Sequence, residues 1–324
     1  MKKSFCQIAE DYINFHVLTD FEYRTVLRWF RCSSLYFPTE QERNRALDAF
    51  VWLYQNISVN ESIHFSPDAR NECLSRFSSS FLLPIETAEH LFDDFLHNFG
   101  SKKPIIIGIE GLDGSGKTVQ ANELYDTLTQ KGKQVCVIDF PQYTSFFGVE
   151  IGKLLSGENN ISAMGLDEKS MCLWYALDRW QAISNIEIEK VDYVIFNRYT
   201  LSSVVYQSAR KYGGLNRKFA DWIFGLEHVQ LGLPVPDIYI YLDTKTDFCQ
   251  ENILRKNRKY VNGLDVYEKS QDLLSCCHNI YRELSKEIYE ISIVECLDEF
   301  GRLKSVEQIS AGVAESLREY GLYV

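Results

Sequence analysis

The chain has 324 residues, 45% hydrophobic and 24% charged, with only seven prolines, a profile that supports one large or two modest hydrophobic cores. Its formal net charge of −11 excludes a general affinity for nucleic acid or anionic membrane, since both need a positive field. Nine cysteines, an odd count with no C-x-x-C pair, suit neither a disulfide framework nor a zinc site, and point to reduced thiols in a cytoplasmic protein.

The opening Met1-Lys2-Lys3 soon meets Glu10 and Asp11, so it fits neither a secretory signal nor an acid-poor transit peptide. No run approaches the roughly 18 apolar residues of a membrane span. The first hundred residues read as a helical, all-α domain. Thr39 and Glu42 fit a capping box, and Leu47, Phe50, Val51 and Tyr54 then mark one buried helix face. Ser66-Pro67 starts another helix, and Leu91, Phe92, Phe95 and Phe99 form a third apolar stripe. Arg24, Arg28 and Arg31 among Tyr23, Trp29 and Phe30 read as a solvated basic face beside core aromatics. No catalytic motif is visible in this region, and its role is not legible.

A polar connector at 101–104, following Gly100, separates this region from residues 105–324. There, short runs rich in Ile and Val alternate with amphipathic stretches, the pattern of a parallel sheet covered on both faces. Strands are predicted at 105–110, 134–140, 193–197, 238–242 and 292–296. Gly111-Leu112-Asp113-Gly114-Ser115-Gly116-Lys117-Thr118 matches G-x-x-x-x-G-K-[ST] between the first strand and a helix carrying Leu124 and Leu128. Gly111, Gly114 and Gly116 let the backbone N–H groups around Ser115 turn inward onto phosphate, and the helix N-terminus adds partial positive charge. Lys117 reaches the outer phosphates of ATP, and the Thr118 hydroxyl is placed for Mg²⁺. No N-K-x-D motif accompanies it, which argues against a GTPase.

Five further stretches, in order and spacing, resemble the thymidylate kinase family over about residues 105–320. They are Glu110 to Gly114, Phe140-Pro141-Gln142-Tyr143, Leu177-Asp178-Arg179-Trp180, Asn197-Arg198-Tyr199 with Ser202 to Gln207, and Leu231 to Asp237. The resemblance implies an α/β P-loop NTPase fold, a five-stranded parallel sheet flanked by helices, and a homodimer through the kinase domain. It also implies ATP-dependent phosphorylation of dTMP to dTDP with Mg²⁺.

By that resemblance Asp113 meets the sugar 3′-hydroxyl and the metal region, although an Asp in a tight turn also caps its own backbone. Tyr175 would stack on the base and Arg179, four residues on, would donate to its carbonyl edge. Arg is donor-only, so it suits thymine O4 and not the amine of cytosine. Periodicity alone favours Tyr175 as core and Arg179 paired with Asp178 or a neighbour, and the resemblance reverses that. Arg198 would contact the transferred phosphoryl group. Ser203 and Tyr206 would lie near the base and the 2′ position. Asp265 and Glu268, read as a helix start, would serve the acceptor site, or simply suit a helix N-terminus.

Residues 255–259 form the lid by resemblance. With Gly114 in the P-loop, the lid charge would come from Arg255 or Arg258 rather than from a P-loop arginine, unless the basic run is only solvated surface. Two departures stand out. Asn197 replaces a common aspartate, removing a negative charge near the metal, and neutral Gln142 and Tyr143 stand where an arginine often grips the acceptor phosphate. These departures bear on the acceptor. A kinase for another deoxynucleoside monophosphate, or a nucleotide-binding regulator acting through residues 1–100, are the alternatives.

Overall fold

The computed structural model describes residues 104–157, 162–255, 265–287 and 291–319, together with residues 75, 78 and 79. The helices expected within residues 1–100, with Arg24, Arg28 and Arg31, lie outside the described residues. The chain divides into two units, Met1–Lys103 and Pro104–Val324, and the second is described by itself.

Five strands form in the predicted places: β1 (Ile105–Gly111), β2 (Val135–Asp139), β3 (Tyr193–Asn197), β4 (Ile238–Asp243) and β5 (Ile291–Glu295). All pair in parallel in the order β2-β3-β1-β4-β5. Every residue of β3 and β4 is buried, as expected where helices cover both faces and a strand cannot alternate polar with apolar.

Eight α-helices are described: α1 (Lys117–Gln130), α2 (Phe146–Ser156), α3 (Glu168–Ser184), α4 (Thr200–Tyr212), α5 (Arg217–Phe224), α6 (Thr246–Arg255), α7 (Gln271–Glu287) and α8 (Val306–Glu319). Their starts follow local chemistry. The Ser145 hydroxyl accepts from Gly148 N ahead of α2, Asp167 accepts from Lys169 and Ser170 N ahead of α3, and Asn216 accepts from Phe219 N ahead of α5. A π-helical turn, Gly225–Gln230, extends α5. Helices α1 and α8 cover one face of the sheet, where Leu124, Leu128, Val313 and Leu317 pack on Ile107, Ile109, Ile195 and Ile240. Each such side chain contributes roughly 1.5–3 kcal/mol by leaving water, an upper value since unfolded chains already bury some surface. Helix α4 packs on β1 and α7 on β5 across the sheet, with α3 and α5 outside α4.

The connections leaving β1 and β4 run in opposite directions, to β2 and to β5, so the carboxyl ends of the central strands open as a crevice. Among the described residues, no helix is long and apolar enough to cross a membrane. Cys136, Cys172, Cys249, Cys276, Cys277 and Cys296 are free.

Candidate active site

The phosphate loop joins β1 to α1. Gly116 stands at the N-cap of α1 with φ 96°, a left-handed conformation that glycine adopts without strain. Gly114 has φ 83° and lies against α6, where a Cβ would fall 2.1 Å from the Cys249 carbonyl oxygen. Lys117 Nζ donates to the carbonyls of Gly111 (3.2 Å) and Leu112 (2.6 Å). Burial, helped by the charge of Arg198, lowers its pKa to about 7. Ser115 Oγ is buried without a hydrogen-bond partner among the described residues, an orphan that a phosphate oxygen would satisfy. Asn252 Nδ2 donates to Gly114 O at 2.9 Å, tying α6 to the loop.

At the end of β3, Arg198 takes φ 65° and turns its guanidinium inward. Nη2 donates to Asp113 Oδ1 at 2.6 Å, Nη1 donates to Ser202 Oγ at 3.1 Å, and the group lies 5.2 Å from the Tyr206 ring centre. Glu110, fully buried, fixes this turn by accepting from Tyr199 N, Ser202 Oγ and Tyr281 OH. Its burial raises its pKa against those bonds.

Beside the loop, an open cavity is lined by Asp113, Tyr143, Tyr175, Arg179, Arg198, Ser203, Tyr206 and Asp265 among others. Arg179, only 2% exposed, donates from Nε and Nη2 to Glu227 and from Nη2 to Ser203 Oγ at 2.7 Å. Asp178 is not its partner. Neighbouring helix residues do not face each other, and Asp178 instead accepts from Gln142 N and Ser145 Oγ.

Asp265 and Glu268 sit in a turn ahead of α7 rather than at a helix start. Asp265 Oδ1 accepts from the Tyr267 and Glu268 amides, and Glu268 Oε2 accepts from Asp265 N. One carboxylate oxygen each from Asp113, Asp265 and Glu268 lie within 4.8 Å of one another. Burial, then these neighbours, raise the Asp265 pKa to about 7.

Gln142 departs from expectation. Its amide donates to the Asp139 carbonyl at 2.6 Å and its side chain is not among those lining the cavity, so of the two neutral residues only Tyr143 faces it. Arg255 ends α6, but its side chain, like the whole of Arg258, lies outside what the structure describes. Thr118 Oγ1 accepts from Asn197 Nδ2 at 3.1 Å, and the same amide donates to Asp139 Oδ1 at 2.6 Å. Sequence reasoning gave no role to Glu227, Glu110 or Asp139.

The model of the family described as Thymidylate kinase matches residues 109–304. A thymidylate kinase of Mycobacterium tuberculosis is 30% identical over 187 residues, 56% of this chain and 86% of that protein. The human thymidylate kinase is 24% identical over 225 residues, 68% of this chain and 98% of that one. A solved thymidylate kinase structure from Candida albicans superposes with a TM-score of 0.52 at 23% identity, covering 68% of this chain and 93% of that one, a likeness of fold.

Proposed function

The chain belongs to the thymidylate kinase family and is a phosphotransferase, and from that premise we propose that it moves the γ-phosphoryl group of ATP onto dTMP, giving dTDP and ADP. The observation that carries this reading is that two cavities meet. The space over the phosphate loop, lined by Gly114, Gly116, Lys117 and Thr118, shares Asp113, Phe140 and Arg198 with the cavity around Arg179. A donor phosphate in the first and an acceptor phosphate in the second would face each other across Arg198.

The acceptor is already an anion, so the task is alignment and charge neutralisation rather than proton abstraction. Lys117 would exchange its two backbone carbonyl partners for phosphate oxygens. Arg198, held on Asp113, is poised to lean onto the phosphoryl group in transfer. One such arginine is worth roughly 10³–10⁵ in rate. Arg179 has Nε and Nη2 committed, which leaves Nη1 as its donor toward the cavity and toward thymine O4. The Tyr206 hydroxyl, 3.4 Å from Asp113 Oδ2, fills the space that a ribose 2′-hydroxyl would need.

The Thr118 hydroxyl and the unpartnered Asn197 Oδ1 are hard oxygen donors that fit Mg²⁺. When bound, Mg²⁺ supplies positive charge to the β- and γ-phosphate oxygens. Arg255 or Arg258 would close over the phosphates from the lid. A homodimer in the cytoplasm goes with the same reading.

The test is ADP release by the full chain with a panel of acceptors. The reading expects kcat/KM for dTMP to exceed that for dCMP by on the order of 10²-fold or more. Preference for another deoxynucleoside monophosphate would replace dTMP as acceptor. Intact ATP binding with no product from any acceptor would end the kinase reading.

A further inference from the structure

At the carboxyl ends of β2 and β3, Asp139 and Asn197 are register partners. We propose that Asp139 is the carboxylate that holds the water shell of the nucleotide's divalent cation, acting through Asn197. The inference rests on residues 111–118 being the phosphate site.

Three observations carry it. Asn197 is 7% exposed, and its Oδ1 has no hydrogen-bond partner among the described residues, although it sits beside Thr118. A buried carbonyl-type oxygen left bare is unfavourable unless something occupies it, and a cation's water ligand is a natural donor to it. Second, the amide's Nδ2 spans Thr118 Oγ1 and Asp139 Oδ1, so hydroxyl, carboxamide and carboxylate form one hydrogen-bonded row along the loop's edge. Third, of the acids clustered with Asp113, neither Asp265 nor Glu268 lines the space over Lys117 and Thr118. Asn197 is neutral, and Asp113, the acid inside the loop, is already paired with Arg198 at 2.6 Å. Asp139 is exposed, and among the described residues no ion pair engages it, so its charge is available to an incoming cation.

Mg²⁺ keeps several waters and is usually held by one or two carboxylates, which a hydrated rim of this kind provides. Asp139 would therefore be a positioning residue for the metal-bound nucleotide, with no contact to the reacting phosphorus. The side-chain row also fixes the amide orientation: with Nδ2 on the two acceptors, Oδ1 is left as the bare acceptor.

The experiment is calorimetric binding of ADP to the full chain, with Mg²⁺ and again with EDTA, for wild type, Asp139→Asn and Asp139→Asn/Asn197→Asp. The wild type should bind ADP more tightly with Mg²⁺. Asp139→Asn should lose roughly 10–100-fold of that Mg²⁺-dependent gain while its affinity in EDTA stays unchanged. Moving the charge to position 197 in the double variant should restore the gain, which a purely structural role would not do. An unchanged Mg²⁺ gain in Asp139→Asn overturns the proposal, as does a loss that the double variant fails to restore. Absence of ADP binding by wild type in both conditions would instead remove the phosphate-site reading beneath it.

Discussion

Arg179 and Glu227 form an ion pair through two hydrogen bonds, Nε to Oε2 at 2.8 Å and Nη2 to Oε1 at 2.5 Å, with Glu227 fully buried. The Thr200 hydroxyl adds a third bond to Oε2 at 2.6 Å. The guanidinium plane is thereby fixed before any base arrives. Glu227→Gln keeps the volume but leaves a buried cation uncompensated, which should cost about 3–5 kcal/mol in denaturant unfolding. Among molecules that stay folded, the dTMP KM should rise on the order of tenfold with a smaller change in kcat, because orientation in the ground state is lost. Unchanged stability and KM would show that the pair does not position Arg179.

Arg179→Ala removes the donor itself. The ratio of kcat/KM for dTMP over dCMP should fall by on the order of 10²-fold, since the pocket would no longer distinguish a carbonyl from an amine. ADP affinity should not move, because Arg179 lines the cavity beside the loop and not the space over Lys117. A preserved dTMP preference would place base selection elsewhere.

What could be seen in the sequence divides along chain distance. The phosphate loop was legible because glycines, lysine and threonine act within eight positions, and the strands because burial on both faces writes continuous Ile and Val runs. Tyr175 and Arg179 could be paired by helical spacing, and both line the cavity. Glu227 could not be anticipated: it lies 48 residues from Arg179, and a π-helical turn, which no propensity announces, holds its segment. Asp139 was hidden for a similar reason, since its link to Asn197 exists only in strand register across 58 positions. Gln142 does not line the cavity, and its side-chain amide donates to the nearby Asp139 carbonyl, a contact three residues away that no motif announces.

Gly114 and Gly116 share a positive φ but differ in surroundings, which separates backbone strain from crowding. A Cβ at Gly116 meets nothing within 4 Å, whereas at Gly114 it meets the Cys249 carbonyl oxygen at 2.1 Å and carbonyl carbon at 2.9 Å. Gly116→Ala should cost about 1–2 kcal/mol, the left-handed penalty alone. Gly114→Ala should cost more and also push α6 off the loop, breaking the Asn252 bond and raising the KM for ATP. Equal melting temperatures and equal ATP KM for the two variants would contradict this packing.

Lys117 carries the last prediction. In the unliganded protein, burial foremost and the nearby Arg198 charge lower its pKa to about 7. Between that value and the ordinary lysine range near 10.5, the folded chain holds fewer protons at this site than the unfolded chain. This group's contribution to stability therefore rises with pH across that window and is least favourable below it. A polyphosphate reverses the balance, because negative charge at Nζ favours the ammonium form. ADP binding at pH 8 should thus take up a proton, with a value approaching ~1, and the uptake should fade toward pH 6, where Lys117 is already charged. Calorimetry in buffers of different ionisation enthalpy reads this directly. Lys117→Met should abolish the uptake and, measured by ADP release, lower kcat by at least ~10²-fold for every acceptor, as loss of a charge-stabilising donor does. If the uptake persisted unchanged in Lys117→Met, the proton would belong to another group and the lysine would be charged before the nucleotide arrives.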